Sequence, residues 1–316
     1  MRNVIIMASL LFLVVLSNCA PRDTRTLTTK NINFHVGIEG IVLNFQHNSP
    51  PPRAFQDQDV VINVQVENKG AHDSEFARLL ISGFEKVALQ GNWQDGTDTS
   101  VELTQNGQFR GKSQESPTGA IDIKSFIAKA SVPISSADKY VANVLVTSCY
   151  SYKTQANPIV CIDLDPFSVV KKDKVCEVRD VALTGGQGAP IAITKVEEDI
   201  GNNKVFFRIF MKNVGKGKVM KPDVVTDPTK CPFGLNILDI NKVHVNSITI
   251  PSLTLDRCEP SLDKDVNLVN DEGFIFCSFN LPTDQQQTSY TTPLNIELSY
   301  GYSSSIQKQF EIINLK

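Results

Sequence analysis

Two stretches of this 316-residue chain are written to nearly the same pattern, and that repetition narrows the folds open to it. Val60, Ile62, Val64 and Val66 recur at every second position and run into Asn68-Lys69-Gly70. Val205, Phe207, Ile209 and Met211 do the same and run into Asn213-Val214-Gly215. A period of two puts each apolar set on one face of a β-strand, and the Asn-x-Gly that follows supplies a turn. A second match lies further along: Val144, Val146, Ser148, Tyr150 and Tyr152 alternate as Leu294, Ile296, Leu298, Tyr300 and Tyr302 do. These Tyr-x-Tyr pairs hold four of the six tyrosines, and the two offsets, 145 and 150 positions, predict an internal duplication. Each half is expected to close with one more apolar strand, Ile159 to Leu164 and Ile306 to Asn314.

Short alternating segments punctuated by Gly, Pro, Asn and Asp predict an all-β chain of two tandem immunoglobulin-like antiparallel β-sandwiches. The expected divisions are a leader over 1–19, a polar tether over 20–30, a first sandwich over 31–168, a linker over 169–175 and a second sandwich over 176–316. So short a linker predicts an end-to-end rod with limited bending. A hydrophobic content of 41% and a charged content of 21% are globular values. A net charge of −3 gives no electrostatic case for nucleic acid as a partner.

Met1 and Arg2 precede an apolar run from Val4 to Leu16, broken by Ser9 and followed by small and polar residues, which reads as a secretory signal peptide. The run is shorter than the roughly 20 residues that span a bilayer. Leu16-Ser17-Asn18-Cys19 resembles the lipobox of secreted lipoproteins, and that resemblance implies lipidation of Cys19 and a membrane held through the lipid. Ordinary cleavage after Ala20, which discards Cys19, is the alternative. Setting Cys19 aside leaves Cys149, Cys161, Cys176, Cys231, Cys258 and Cys277, an even set that an exported chain uses for disulfides. A hairpin centred on Gln155 would place Cys149 opposite Cys161; Cys258 with Cys277 and Cys176 with Cys231 are the favoured remaining pairs among three connectivities.

The stretch from Asn48 to Gly70, with its Pro-containing loop, alternating strand and Asn-x-Gly, is similar to the opening of CARDB-like and related immunoglobulin-like domains of bacterial and archaeal surface proteins. Residues 149–167 and 174–199 resemble exported archaeal proteins with two such domains. The resemblance implies fold and location at the cell surface, and it brings no catalytic residue and no cofactor.

Other motifs have plainer readings. Gly185-Gly186-Gln187-Gly188 lacks the Lys-Ser/Thr of a phosphate loop and precedes an alternating run, Ile191 to Val196, so a β-turn is expected. Asp95-Gly96-Thr97-Asp98 and Asp163-Leu164-Asp165 fall short of a calcium pattern and read as polar loops. His35, His47, His72 and His244 are scattered and expected to face solvent. Trp93, alone of its type and in a polar, Gly-bearing loop, is the candidate ligand contact, able to stack on a sugar or anchor a partner, but a tryptophan folded back as a plug over the sandwich is the favoured reading. The expectation is thus a non-enzymatic surface module that binds a protein or envelope component, with homo-oligomers included. A carbohydrate-binding accessory module and a hydrolase are the alternatives.

Overall fold

The computed structural model describes residues 33–104, 107–166, 174–201, 203–282 and 289–315. The leader, Cys19, the polar tether and most of the expected linker lie outside them. The first half contributes β1 (Ile41–Phe45), β2 (Arg53–Phe55), β3 (Asp59–Asn68), β4 (Ala77–Ser82), β5 (Leu89–Trp93), β6 (Ser100–Glu102), β7 (Ile121–Ala130), β8 (Lys139–Ala156) and β9 (Ile159–Asp163). The second contributes β10 (Val181–Ala182), β11 (Ile191–Gly201), β12 (Lys204–Asn213), β13 (Lys218–Met220), β14 (Lys242–Thr249), β15 (Thr254–Glu259), β16 (Asp265–Asn267), β17 (Glu272–Asn280), β18 (Ser289–Pro293) and β19 (Asn295–Ile313). The alternating residues that open the sequence argument, Val60 to Val66 in β3 and Val205 to Met211 in β12, are buried at every second position.

The fold is an all-β sandwich architecture, antiparallel but for one pairing, that of β2 with the end of β19. A four-stranded sheet in the order β1-β3-β7-β5 and a five-stranded sheet in the order β10-β11-β12-β17-β15 accompany one eight-stranded sheet, in which β16-β14-β19-β8-β4-β6 run side by side and β13 and β2 also pair with β19. The duplication reads strand for strand: β1-β3-β7-β5 corresponds to β11-β12-β17-β15, and β8-β4-β6 to β19-β14-β16. Ile306 to Asn314 is not a separate closing strand, since β19 runs unbroken from Asn295 to Ile313.

The halves do not form an end-to-end rod. Residues Phe34–Lys316 make one compact unit, joined where β8 lies along β19 from Lys139↔Ile313 to Ala156↔Ile296. Strands of 18 and 19 residues are about three times the usual length. Each has backbone left to pair after serving its own half, and the two satisfy one another's edges. Within this ladder Tyr150 faces Tyr302, Tyr152 faces Tyr300, and Ser151 faces its own counterpart Gly301. Such reciprocity is that of an isologous two-fold interface, here inside one chain. Paired positions of antiparallel neighbours share a face. The buried even-numbered side chains of both strands therefore point the same way, and both cores lie on one side of the shared sheet.

The tyrosines build matching sockets beneath the two Asn-x-Gly turns. The Tyr152 hydroxyl donates to Asn68 Oδ1 at 3.0 Å and accepts from the His72 amide, while Asn68 Nδ2 donates to the His72 carbonyl at 2.9 Å. In the second half, Tyr302 donates to Asn213 Oδ1 at 2.9 Å and accepts from the Gly217 amide, while Asn213 Nδ2 donates to the Gly217 carbonyl at 3.0 Å. Side-chain bonds here satisfy turn backbone that no strand reaches.

One connection breaks the symmetry. The link from β3 to β4, residues 69–76, is short, whereas that from β12 to β14 runs over 214–241. The longer link becomes a strap across the other side of the shared sheet, with a 3-10 helix at Pro222–Thr226. Val224, Val225, Met220 and Cys231 of the strap pack with Cys149 of β8, against Phe76 and Leu80. Gly301 leaves room for it: a Cβ there would lie 2.4 Å from Val225 Cγ1 and 2.8 Å from the Lys221 carbonyl oxygen.

The disulfides follow this topology. Cys149 bonds Cys231, Cys161 bonds Cys176, and Cys258 bonds Cys277. The pair Cys258–Cys277 matches the expectation and sits in register across β15 and β17. The expected Cys149–Cys161 and Cys176–Cys231 pairs do not form. The reason is that β8 spends its edges on β4 and β19, so β9 cannot fold back onto it and pairs with β18 instead. Three disulfides fit an oxidising, extracytoplasmic environment. Among the described residues no helix is long and apolar enough to cross a membrane.

Candidate interaction surface

Trp93 is buried, as its plug reading expects, and not displayed as a ligand contact would be. It ends β5 with 1% of its surface exposed and packs edge-on against Phe126, ring centres 5.7 Å apart. The expected loop is a strand whose end residues, Leu89 and Trp93, both point inward. The Gly185–Gly188 segment is a turn leading into β11, with Gly185, Gly186 and Gly188 at positive φ. Gln187 closes that turn, donating to the Ile193 carbonyl and accepting from the Ile193 amide. Asp163 pairs with Lys174, and Asp95 lies 3.9 Å from Lys124. Among the described residues no cluster of three or more His, Cys, Asp or Glu could hold a metal.

The histidines depart in part from solvent-facing positions. His244 lies between Asp263 and Asp265, at 3.2 and 3.1 Å. His72 turns its ring against His35 and Tyr152, and its Nε2 is buried without a hydrogen-bond partner. Burial, with the nearby His35 and Lys153, lowers its pKa to about 4. Glu198 is a second buried group, 8% exposed, whose Oε2 accepts from the Cys161 amide while Oε1 has no partner. Burial raises its pKa to about 7, opposed by that amide.

These two groups act on stability with opposite sign. His72 titrates lower in the folded chain than in the unfolded one, so stability is lost as pH falls from about 6.5 towards 4. Glu198 titrates higher in the folded chain, so the stability it contributes below about 4.5 is lost as pH rises through about 7. Urea unfolding of the native chain and of Glu198→Gln at pH 5 and pH 8 should therefore show the native chain losing on the order of 2 kcal/mol more across that interval. Equal losses in the two proteins would refute the assignment.

The surface that stands out is the outward face of the five-stranded sheet. In β12 the inward set Val205, Phe207, Ile209 and Met211 leaves Phe206, Arg208, Phe210 and Lys212 pointing out. Opposite them in β17, Phe274 faces Phe210 and Phe276 faces Arg208. The rings of Phe206 and Phe276 stack at 5.9 Å and 18°, and Phe210 and Phe274 lie 6.1 Å apart. The Lys195 ammonium sits 5.9 Å from the Phe210 ring centre, and the Arg208 guanidinium 5.9 Å from that of Phe274. Carboxylates complete the face. Glu197 takes Lys195 at 2.8 Å and Arg208 at 3.0 Å, and Glu272 takes Lys212 at 2.7 Å. The Lys195 hydrogen bond holds the Glu197 carboxyl below its usual range, with Arg208 adding to it. Beside the rings, a groove of about 500 Å³ is lined by Asp180, Glu197, Asp199, Phe206, Arg208 and Phe276.

The first half carries an aliphatic counterpart on its four-stranded sheet, where Val61, Ile121, Ile123 and Ile127 are 41 to 52% exposed. The aromatic face went unnoticed in the sequence, although a signal was present. A strand with one buried face alternates apolar with polar residues. Val205-Phe206-Phe207 and Phe274-Ile275-Phe276 are instead apolar on both sides.

No protein-family model and no curated protein matches the sequence. Among solved structures, the chain is similar to the secreted serine protease VesC from Vibrio cholerae at 8% identity and a TM-score of 0.22, covering 83% of this chain and 50% of that one. It is also similar to the CupB6 tip adhesin from Pseudomonas aeruginosa at 9% identity and a TM-score of 0.19, covering 88% of this chain and 98% of that one. The chain thus spans about half the length of the protease. Likeness at these TM-scores carries no argument about fold or activity.

Proposed function

We propose that this chain is an exported, non-enzymatic surface module, held to the membrane by a lipid on Cys19, whose five-stranded sheet docks a protein partner. The observation that carries the reading is the face built by Phe206, Phe210, Phe274 and Phe276 around Arg208. Phe274 is 53% exposed, with Phe206, Phe210 and Phe276 half-buried around it; clustered apolar surface on a monomer marks an interaction site, and aromatic residues and Arg dominate the energetics of protein interfaces. The cations of the face already have carboxylate partners. A partner of one strong charge gains little here, whereas an apolar protein surface with charges of both signs fits.

The same geometry favours protein over carbohydrate. Sugar rings stack on open aromatic faces, but Phe206 and Phe276 cover each other, and Lys195 and Arg208 lie over Phe210 and Phe274. With Trp93 buried, the carbohydrate alternative loses its anchor.

A photo-crosslinking residue in place of Phe274, in the protein on its native cells, tests the reading. The expected result is one discrete protein adduct, absent when the crosslinker replaces Gln65 on the first half's sheet, and reduced at least tenfold by Arg208→Glu. Equal labelling from both positions, or labelling indifferent to Arg208→Glu, would exclude this face as the site.

A further inference from the structure

The duplication leaves one strand edge covered in the second half and bare in the first. β1 and β11 are counterparts at an offset of 150 positions, Ile41 facing Asn68 as Ile191 faces Asn213. β11 pairs with β12 on one side and with β10 on the other, Val181 opposite Val196 and Ala182 opposite Lys195. The Leu183 amide continues that pairing, donating to the Thr194 carbonyl at 2.9 Å. β1 instead ends its sheet, with β3 as its one strand neighbour among the described residues.

The bare edge belongs to the odd-numbered residues. The Gly40 carbonyl accepts from the Lys69 amide and the Gln46 amide donates to the Asn63 carbonyl, so even positions spend their backbone on β3 and those of Leu43 and Phe45 turn the other way. The halves also differ where the edge begins. The Ile191 amide donates to the Tyr300 hydroxyl at 3.3 Å, and its carbonyl accepts from the Thr154 hydroxyl at 2.7 Å. Tyr150 meets the Ile41 backbone as Tyr300 meets Ile191, but Ser304, in the place of Thr154, bonds Ser148 at 2.9 Å instead. A cavity of about 330 Å³ lies along this edge, lined by Ile41, Leu43, Tyr150, Val214, Tyr302 and Ile306.

The structure thus holds its own template for what such an edge takes. On β11 it is one extended strand, with Val181 and Leu183 packed on the core and Ala182 exposed between them. The chain ahead of β1 does not repeat that pattern. The same offset brings Asn31 and Asn33 to the positions of Val181 and Leu183, and Asn33 is exposed where Leu183 is packed. Nor has a second copy a strand to give, since the named strands are already paired in their own sheets.

We infer that β1 receives an extended segment of a partner protein as an added antiparallel strand, hydrogen-bonded to Leu43 and Phe45, with apolar side chains at alternate positions turned to the cavity. An unpaired edge is a template for such pairing; the backbone bonds supply affinity and the alternate side chains selectivity. The site lies on the first half's sheet, apart from the aromatic face, and the inference holds whether or not that face docks a partner.

The probe is the capped peptide Val178–Thr184, which is β10 taken with its flanks. Added to the exported chain at millimolar concentration, it should slow amide exchange at Leu43 and Phe45 at least tenfold, and the same peptide carrying Val181→Asn and Leu183→Asn should not. Phe45→Pro deletes the outward amide without touching the β3 ladder, a change that edge strands accommodate, whereas Phe45→Val keeps it. Both variants lose the ring, so peptide affinity at least tenfold lower in the proline variant than in the valine variant isolates the backbone bond. No slowing at Leu43 and Phe45, equal slowing by the two peptides, or equal affinity in the two variants overturns the inference. Protection already present without peptide overturns it as well. If independent of protein concentration, it assigns the edge to the chain's own residues; if rising with concentration, to a second copy.

Discussion

Gly70→Ala and Gly215→Ala should each destabilise the chain by at least about 3 kcal/mol, enough to remove much of the stability of an ordinary domain. A Cβ on Gly70 would lie 1.9 Å from the Tyr152 hydroxyl, 2.5 Å from the Gly188 carbonyl and 2.7 Å from the Glu39 carbonyl. On Gly215 it would lie 2.3 Å from the Tyr302 hydroxyl and 2.8 Å from Pro190 Cβ. Neither glycine has a positive φ, so the requirement is space, not backbone freedom. In each socket the methyl displaces a tyrosine whose hydroxyl is held by the turn Asn and a turn amide, so one added carbon breaks a buried network and overpacks a core at once. Thermal unfolding of the two variants checks this. Loss at Gly70 with tolerance at Gly215, or the reverse, would show that the sockets are not equivalent.

The second large effect is at the strap. Cys149 and Cys231 are 82 residues apart in sequence, and each is at most 1% exposed. Closing so long a loop restricts the unfolded chain by about 4.5 kcal/mol in the loop-entropy account, with about 2 to 4 kcal/mol the usual measured range. Cys149→Ser with Cys231→Ser should lower stability by about that amount and release the strap from the sheet. The companion pair Cys161–Cys176, only 15 residues apart, closes a much smaller loop and should cost less. Chemical denaturation of the two double variants orders them; the reverse order would contradict the role given to the strap.

What could be read in the sequence follows from what alternation encodes. Tyr150, Tyr152, Tyr300 and Tyr302 announced the duplication because side-chain period and burial are properties of a single strand. Which edge a strand offers, and to whom, is written in no such pattern. The pairing of β8 with β19 was therefore invisible, and with it the two-fold body in place of a rod. The cysteines show the same limit: parity gave a bonded set of six, but β4 and β19 occupy both edges of β8 at Cys149, which leaves no edge for Cys161 there, and Cys149 bonds Cys231 of the strap. The strand that ends at Trp93 was missed because Gly91 and Gly96 read as loop, whereas Gly91 is a strand position where a Cβ would lie 2.0 Å from the Ile127 carbonyl of β7. The phenylalanines of the outer face were legible in principle, since Phe206 and Phe210 occupy the positions that Val61 and Gln65 hold in the first half.

Amide hydrogen exchange along β8 and β19 tests the shared sheet most directly, because the strap, the tyrosine sockets and the presentation of both surfaces depend on it. The account predicts that amides in the middle of both strands, around Ser151 and Gly301, are among the slowest in the chain and exchange at a common rate set by a single global unfolding. Two distinct plateaus, one for each half, would mean that the sandwiches open independently, and would contradict a body built on one continuous sheet.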